Sequence, residues 1–137
     1  MSKNPEQVYK SNYKPFPPDV QLAVWLKTDG LCWYCGKQTD MFSAMGTSGE
    51  QLKRKFTIDH FISLRSGGTD ELGNLVPACW SCNASKNHRS IEQWRDSLRW
   101  KSIGRLTQRQ IDWFHSHGIE IPEPPNIEFY FESVGLG

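Results

Sequence analysis

Residues 56–86 read FTIDHFISLRSGGTDELGNLVPACWSCNASK. This stretch decides the fold, because it sets two kinds of chemistry side by side. An Asp59-His60 pair opens it, Asn74 lies in its middle, and Asn83 directly follows a Cys79-x-x-Cys82 knuckle. A second knuckle, Cys32-x-x-Cys35, lies upstream. Phe56, Ile58 and His60 alternate with Thr57 and Asp59, the period of a strand. Arg65-Ser66-Gly67-Gly68 reads as a turn or open loop. Leu75-Val76-Pro77 predicts a short return strand, and residues 83–88 predict a helix or its first turns.

Two cysteines two residues apart turn both sulfurs inward on one tight knuckle. Two such knuckles make the tetrahedral four-sulfur cage that Zn²⁺ favours. Gly36, right after Cys35, suits the left-handed kink of such a turn. The gap between the knuckles is too long for a compact ribbon, so the clamp brackets an inserted unit that contains Asp59 to Asn74. A closed four-sulfur site leaves no open coordination position, so Cys32, Cys35, Cys79 and Cys82 are expected to hold a structural zinc ion. Zinc would add folding energy to a small core.

Asp59 and His60 are neighbours on a predicted strand, so their side chains diverge to opposite faces. The useful division is that one binds metal and the other moves a proton. Asp59 is a hard oxygen donor suited to Mg²⁺. An imidazole such as that of His60 can take a proton from water. Asn83, at the start of a helix, supplies a second oxygen. Two protein oxygens plus waters and phosphate form the partial shell that Mg²⁺ tolerates.

In order and spacing these motifs resemble the HNH endonucleases: Cys-x-x-Cys, Asp-His, Gly-Gly, Asn-Leu, then Cys-x-x-Cys-Asn-x-x-Lys. The resemblance covers residues 31–87. Here His60, Asn74 and Asn83 form an H-N-N variant, with Asn in place of the last His. The resemblance implies an α+β fold with a ββα-metal, treble-clef-like core, a structural zinc site and flanking helices. It implies His60 as general base, Asp59 and Asn83 as ligands of a catalytic Mg²⁺ or Mn²⁺, and Asn74 as the brace that holds the His60 ring. Lys86 and Arg65 are then expected to touch phosphate. The implied partner is double-stranded DNA, nicked or cut; a double-strand cut needs a homodimer, a protein partner or two events. The alternative is a catalytically silent, zinc-stabilised nucleic-acid-binding module, which would not need the Asp59, His60 and Asn83 set.

Outward from this core the chain reads as one domain of 137 residues. A flexible arm is expected over residues 1–17, the nuclease core with flanking helices over 18–101, and a helix and strand extension packed on the core over 102–137. Pro17-Pro18-Asp19 opens the first flanking helix. Residues 38–55 read as a loop with one helical turn. Ser90 with Gln93, and Thr107 with Gln110, have the capping-box pattern of two further helices, and Gly118 suits a helix stop. Residues 127–131 read as a final strand.

The net charge of +1 hides a split. Residues 1–111 hold all 16 basic residues against 10 acids (+6), and residues 112–137 hold five acids and no base (−5). The basic part can face a polyanion. No apolar run approaches the roughly 20 residues of a membrane span, and the start has no signal-peptide core. The expectation is a cytoplasmic protein without a membrane partner, whose cysteines bind metal rather than pair.

Overall fold

A two-stranded antiparallel sheet stands at the centre of the chain. β1 (Phe56–His60) pairs with β2 (Leu75–Cys79), with Phe56 opposite Cys79 and His60 opposite Leu75. The computed structural model describes residues 15–41 and 49–137. The arm expected over 1–17 lies outside them up to residue 14, as do positions 42–48 of the expected loop. Among the described residues six α-helices complete the order: α1 (Pro18–Trp25), α2 (Glu50–Lys53), α3 (Trp80–Lys86), α4 (Ile91–Ser102), α5 (Gln108–Ser116) and α6 (Tyr130–Ser133). Among the described residues no helix is long and apolar enough to cross a membrane.

The sheet buries both faces, which alternation along each strand makes possible. Phe56 and Leu75 meet Val24 of α1, with Val20, Trp25 and Ile58 packed around them. On the other side Val76 and Ala78 meet Tyr34, Trp94 and Phe129. Trp94 stacks on Phe129 with centroids 4.9 Å apart, and Tyr34 meets Trp94 edge-on at 5.0 Å. Such ring pairs contribute about 0.5–1.5 kcal/mol each beyond their burial. Pro77 sits in β2 without a donor to lose from the ladder, and its carbonyl accepts from Trp33 N at 2.8 Å, which ties the first knuckle to the sheet.

Local signals hold where they are short-range. Ser90–Gln93 and Thr107–Gln110 form reciprocal capping boxes at the starts of α4 and α5, and Gly118 takes φ +74 past the end of α5. The single helical turn expected before β1 is α2.

Two elements differ from expectation. α3 begins at Trp80 rather than at residue 83, because the Cys79 sulfur accepts from Cys82 N and caps it. The strand expected over 127–131 is not formed. Tyr130 N and Phe131 N donate to Tyr34 O and Trp33 O, and the chain then turns into α6, whose entry is closed by Glu132 Oε1 accepting from Phe129 N. The alternating Ile127, Phe129 and Phe131 signal apolar burial, and here they fill the aromatic cluster instead of extending the sheet.

Candidate metal cluster and active site

The knuckles bring four sulfurs together at the Phe56–Cys79 end of the hairpin. All four lie within 4.8 Å of one another, and Cys35 Sγ and Cys79 Sγ are 3.9 Å apart. A tetrahedral ion at ~2.3 Å from each sulfur needs sulfurs ~3.8 Å apart, the spacing that Cys35 and Cys79 already have. Gly36, at φ +76, closes the first knuckle, and a Cβ there would meet the Tyr130 ring at 2.8 Å. Hydrogen bonds from Cys35, Cys79 and Cys82 draw the Cys32 thiol far below the ordinary thiol range, while Cys82 is pushed far above it, first by its bond to Cys32. Four adjacent thiols cannot all ionise unaided; a bound cation supplies the charge that lets them.

The opposite end of the hairpin carries the Asp-His pair. Thr57 and Asp59 share one face of β1, and α3 lies across it. Asn83 Nδ2 donates to Thr57 Oγ1 at 3.0 Å. One turn further, Lys86 Nζ reaches Asp59 Oδ2 at 3.1 Å and His60 O at 3.2 Å. Tyr34 OH also donates to Asp59 Oδ2, at 2.5 Å. Burial first, and then the Asp59 charge, push the Tyr34 phenol up, so it stays a protonated donor. Asp59 is therefore buried with one carboxylate oxygen held by two donors.

Lys86 corrects an expectation. A phosphate contact needs an exposed cation, and this side chain has no exposed surface. Its position one turn after Asn83 points it inward over β1, where the buried carboxylate neutralises it. Arg65, expected beside it at phosphate, is exposed in the turn of residues 64–66.

His60 ends β1. Its Nε2 is 2.7 Å from Asp70 Oδ1, and its ring lies beside Phe16 with centroids 5.9 Å apart. Asn74 braces the intervening loop with its whole amide: Oδ1 accepts from Ile62 N at 2.8 Å, while Nδ2 donates to Ile62 O at 2.9 Å and Thr69 O at 2.8 Å. Its backbone carbonyl accepts from Phe61 N, the residue after His60. Gly68 makes this closure possible, since a Cβ there would lie 1.8 Å from Ile62 O.

The structure thus gathers Asp59, Asn83 and Lys86 on one face of β1, with His60 at its end and Asn74 in the loop behind it. Sequence reasoning missed Tyr34 and Asp70. Tyr34 is 25 positions from Asp59 inside a knuckle, and Asp70 is one of several acids near the Gly-Gly turn. No local pattern singles out either.

Strand, loop, strand and helix, clasped by a cysteine pair on either side, define a ββα-metal type of fold. Residues 32–89 match the family model described as HNH endonuclease. A protein of the SPbeta prophage in Bacillus subtilis (strain 168), YoqL, whose name assigns it to the HNH endonucleases, is 32% identical over 68 residues. That match covers 48% of this chain and 27% of the relative, so the chain spans about a quarter of the relative's length. Among solved structures, the Type II-C Cas9 enzyme from Actinomyces naeslundii is similar, with a TM-score of 0.44 and 18% identity, over 90% of this chain and 13% of that one.

Proposed function

We propose that this chain is a metal-dependent endonuclease that hydrolyses phosphodiester bonds in double-stranded DNA. The observation that carries the proposal is α3 lying across β1. It sets Asn83 over Thr57 and Lys86 over Asp59 and the His60 carbonyl, at the strand end whose imidazole has its Nε2 on Asp70. With Nε2–H donated to Asp70, the lone pair of the neutral ring sits on Nδ1, the nitrogen left to take a proton from water. A base so positioned contributes about 10²–10⁴ in rate.

The oxygen set fits a hard divalent cation. Asp59 Oδ2 is occupied by Tyr34 and Lys86, which orients the carboxylate and leaves Oδ1, and the Asn83 amide oxygen is the second donor. Such a cation, Mg²⁺ or Mn²⁺, supplies positive charge for the oxyanions of the cleaved phosphate. Asn74 acts as a positioning residue, fixing the backbone on both sides of Phe61. Arg65 is exposed in the same loop and is proposed to contact phosphate. The four cysteines are proposed to hold zinc in a purely structural role.

One observation favours a second reading, a zinc-stabilised nucleic-acid-binding module without catalysis. The Asp59 charge is already balanced by Lys86, an arrangement that stability alone could maintain. Supercoiled plasmid incubated with Mg²⁺ or Mn²⁺, with and without EDTA, separates the two. Nicked or linear product that requires the ion and disappears with His60→Ala supports the nuclease. Intact plasmid with a folded, zinc-loaded, DNA-binding protein supports the module.

A further inference from the structure

Helix α4 has two basic faces that are treated differently. On one, Arg95 pairs with both Glu132 oxygens at 2.7 and 2.8 Å and with Glu92, and Arg99 reaches Asp96 and Glu123. These acids neutralise that face: Glu123 and Glu132 belong to the acidic C-terminal segment, and Glu92 and Asp96 to the helix itself. On the other face a cleft of about 380 Å³ opens between the end of α3, α4 and the turn after it. Arg89, Lys101 and Arg105 line it together with Ser85, Ser97 and Trp100, and no acid does. Among the described residues Lys101 and Arg105 make no ion pair. Arg105 is held there by a left-handed backbone, φ 57, with its N–H donating to Trp100 O at 3.0 Å.

Three cations around one concavity repel each other and focus a positive potential into it. Ser85 Oγ accepts from Trp94 Nε1 at 3.0 Å, which leaves its own hydroxyl hydrogen for a ligand. Cations with hydroxyl donors beside an aromatic ring are the groups that recognise a phosphodiester backbone. The cleft begins on the helix that carries Asn83. Ser85 lies two residues beyond Asn83 on α3, and Arg89 binds Ser85 O and Lys86 O at the end of that helix.

We infer that this cleft is a second nucleic-acid contact, which grips the phosphate backbone away from the bond to be cut. The inference rests on the reading that the ligand is nucleic acid, and it adds a site outside the Asp59–His60 face. Lys101 and Arg105 are exposed, so Lys101→Gln/Arg105→Gln is expected to fold. The test uses the full chain carrying His60→Ala, in EDTA, titrated with a fluorescent DNA duplex over a range of salt concentrations. Loss of two backbone contacts weakens binding and lowers the slope of log K against log salt by about 2. The control pair Lys37→Gln/Arg109→Gln, exposed cations outside the cleft, is expected to leave the slope unchanged. An unaltered slope in the cleft variant, or an equal fall in the control, overturns the inference. So does a cleft that serves an acidic protein instead, because DNA affinity then does not move. Plasmid cleavage by the wild-type chain is scored separately. A protein that cuts DNA with an unaltered slope in the cleft variant sinks the cleft alone, and one that binds through the cleft without cutting sinks the nuclease reading alone.

Discussion

The hairpin carries its two sites at opposite ends. Cys79 pairs across from Phe56, and Leu75 pairs across from His60, so about 13 Å of strand separates them. The sulfur end is closed: four like ligands surround one point, and nothing is left for a substrate. The other end is mixed. A buried carboxylate is shared by a phenol and an ammonium, while the imidazole of the next residue meets an exposed carboxylate. α3 serves both ends, with Cys82 in its first turn and Asn83 and Lys86 after it. Rigidity made at the closed end is thereby carried to the open end, where geometry has chemical consequences.

The largest way to break this contrast is to open the closed end. Cys79→Ala removes a sulfur and the cap of α3 together. We expect loss of bound zinc and of cooperative folding, since zinc binding of about 10–16 kcal/mol in small metal domains is folding energy. Metal analysis with a circular dichroism melt reads both. A variant that melts cooperatively at the wild-type temperature without metal would show that the cysteines do not hold the fold. Next in size is His60→Ala, which is expected to slow plasmid cleavage about 10²–10⁴-fold while DNA affinity in EDTA stays within a factor of two or so. A folded variant that loses binding instead would remove His60 from the role of base.

The contrast also sorts what was legible in the sequence. The sulfur site is written in short spacings, two residues within each knuckle, so its ligands could be named from the chain alone. Capping boxes at Ser90 and Thr107 are equally local. The Asp59 site is partly local, in the Asp-His pair and the helical spacing from Asn83 to Lys86. Its partners are not. Tyr34 and Asp70 arrive through tertiary folding, and whether Lys86 faces water or the strand depends on how α3 docks. The lost C-terminal strand has the same origin: alternation at Ile127, Phe129 and Phe131 reports burial of one side of the chain, and carries no information on whether a ladder partner exists.

At the open end, stability and chemistry meet in Lys86. Removing one partner of a buried pair leaves an uncompensated charge, so Lys86→Met is expected to cost about 3–5 kcal/mol. That corresponds to a fall in Tm on the order of 10 °C or more for a domain of this size. Asp59→Asn added to Lys86→Met removes the stranded charge and is expected to recover much of the loss, a coupling that a double-mutant cycle reads directly. Equal stability of Lys86→Met and wild type would mean that the ammonium does not sit on Asp59 in solution. Tyr34→Phe is a milder probe of the same carboxylate, expected to cost about 1–3 kcal/mol, the range for a buried acceptor that loses a donor.

The smallest effect belongs to Asp70, and its size follows from exposure. In a buried Asp-His pair the carboxylate dictates the tautomer strongly, but the Asp70 side chain is 69% exposed, where such pairs contribute about 0.2–1 kcal/mol. Asp70→Ala should therefore slow cleavage by no more than about fivefold, with the melting temperature little changed. Loss of rate alone could come from a shifted loop, so the informative readout is the tautomer of the neutral His60 ring, from its ¹⁵N NMR shifts. With Asp70 present the proton should sit on Nε2; without it the Nδ1–H form should gain population, and Asp70→Glu should restore the bias if its longer side chain still reaches the ring. An unchanged tautomer ratio would break the link between this contact and the base, and would leave the Phe16 ring and the loop closed by Asn74 as the described supports for the orientation of His60.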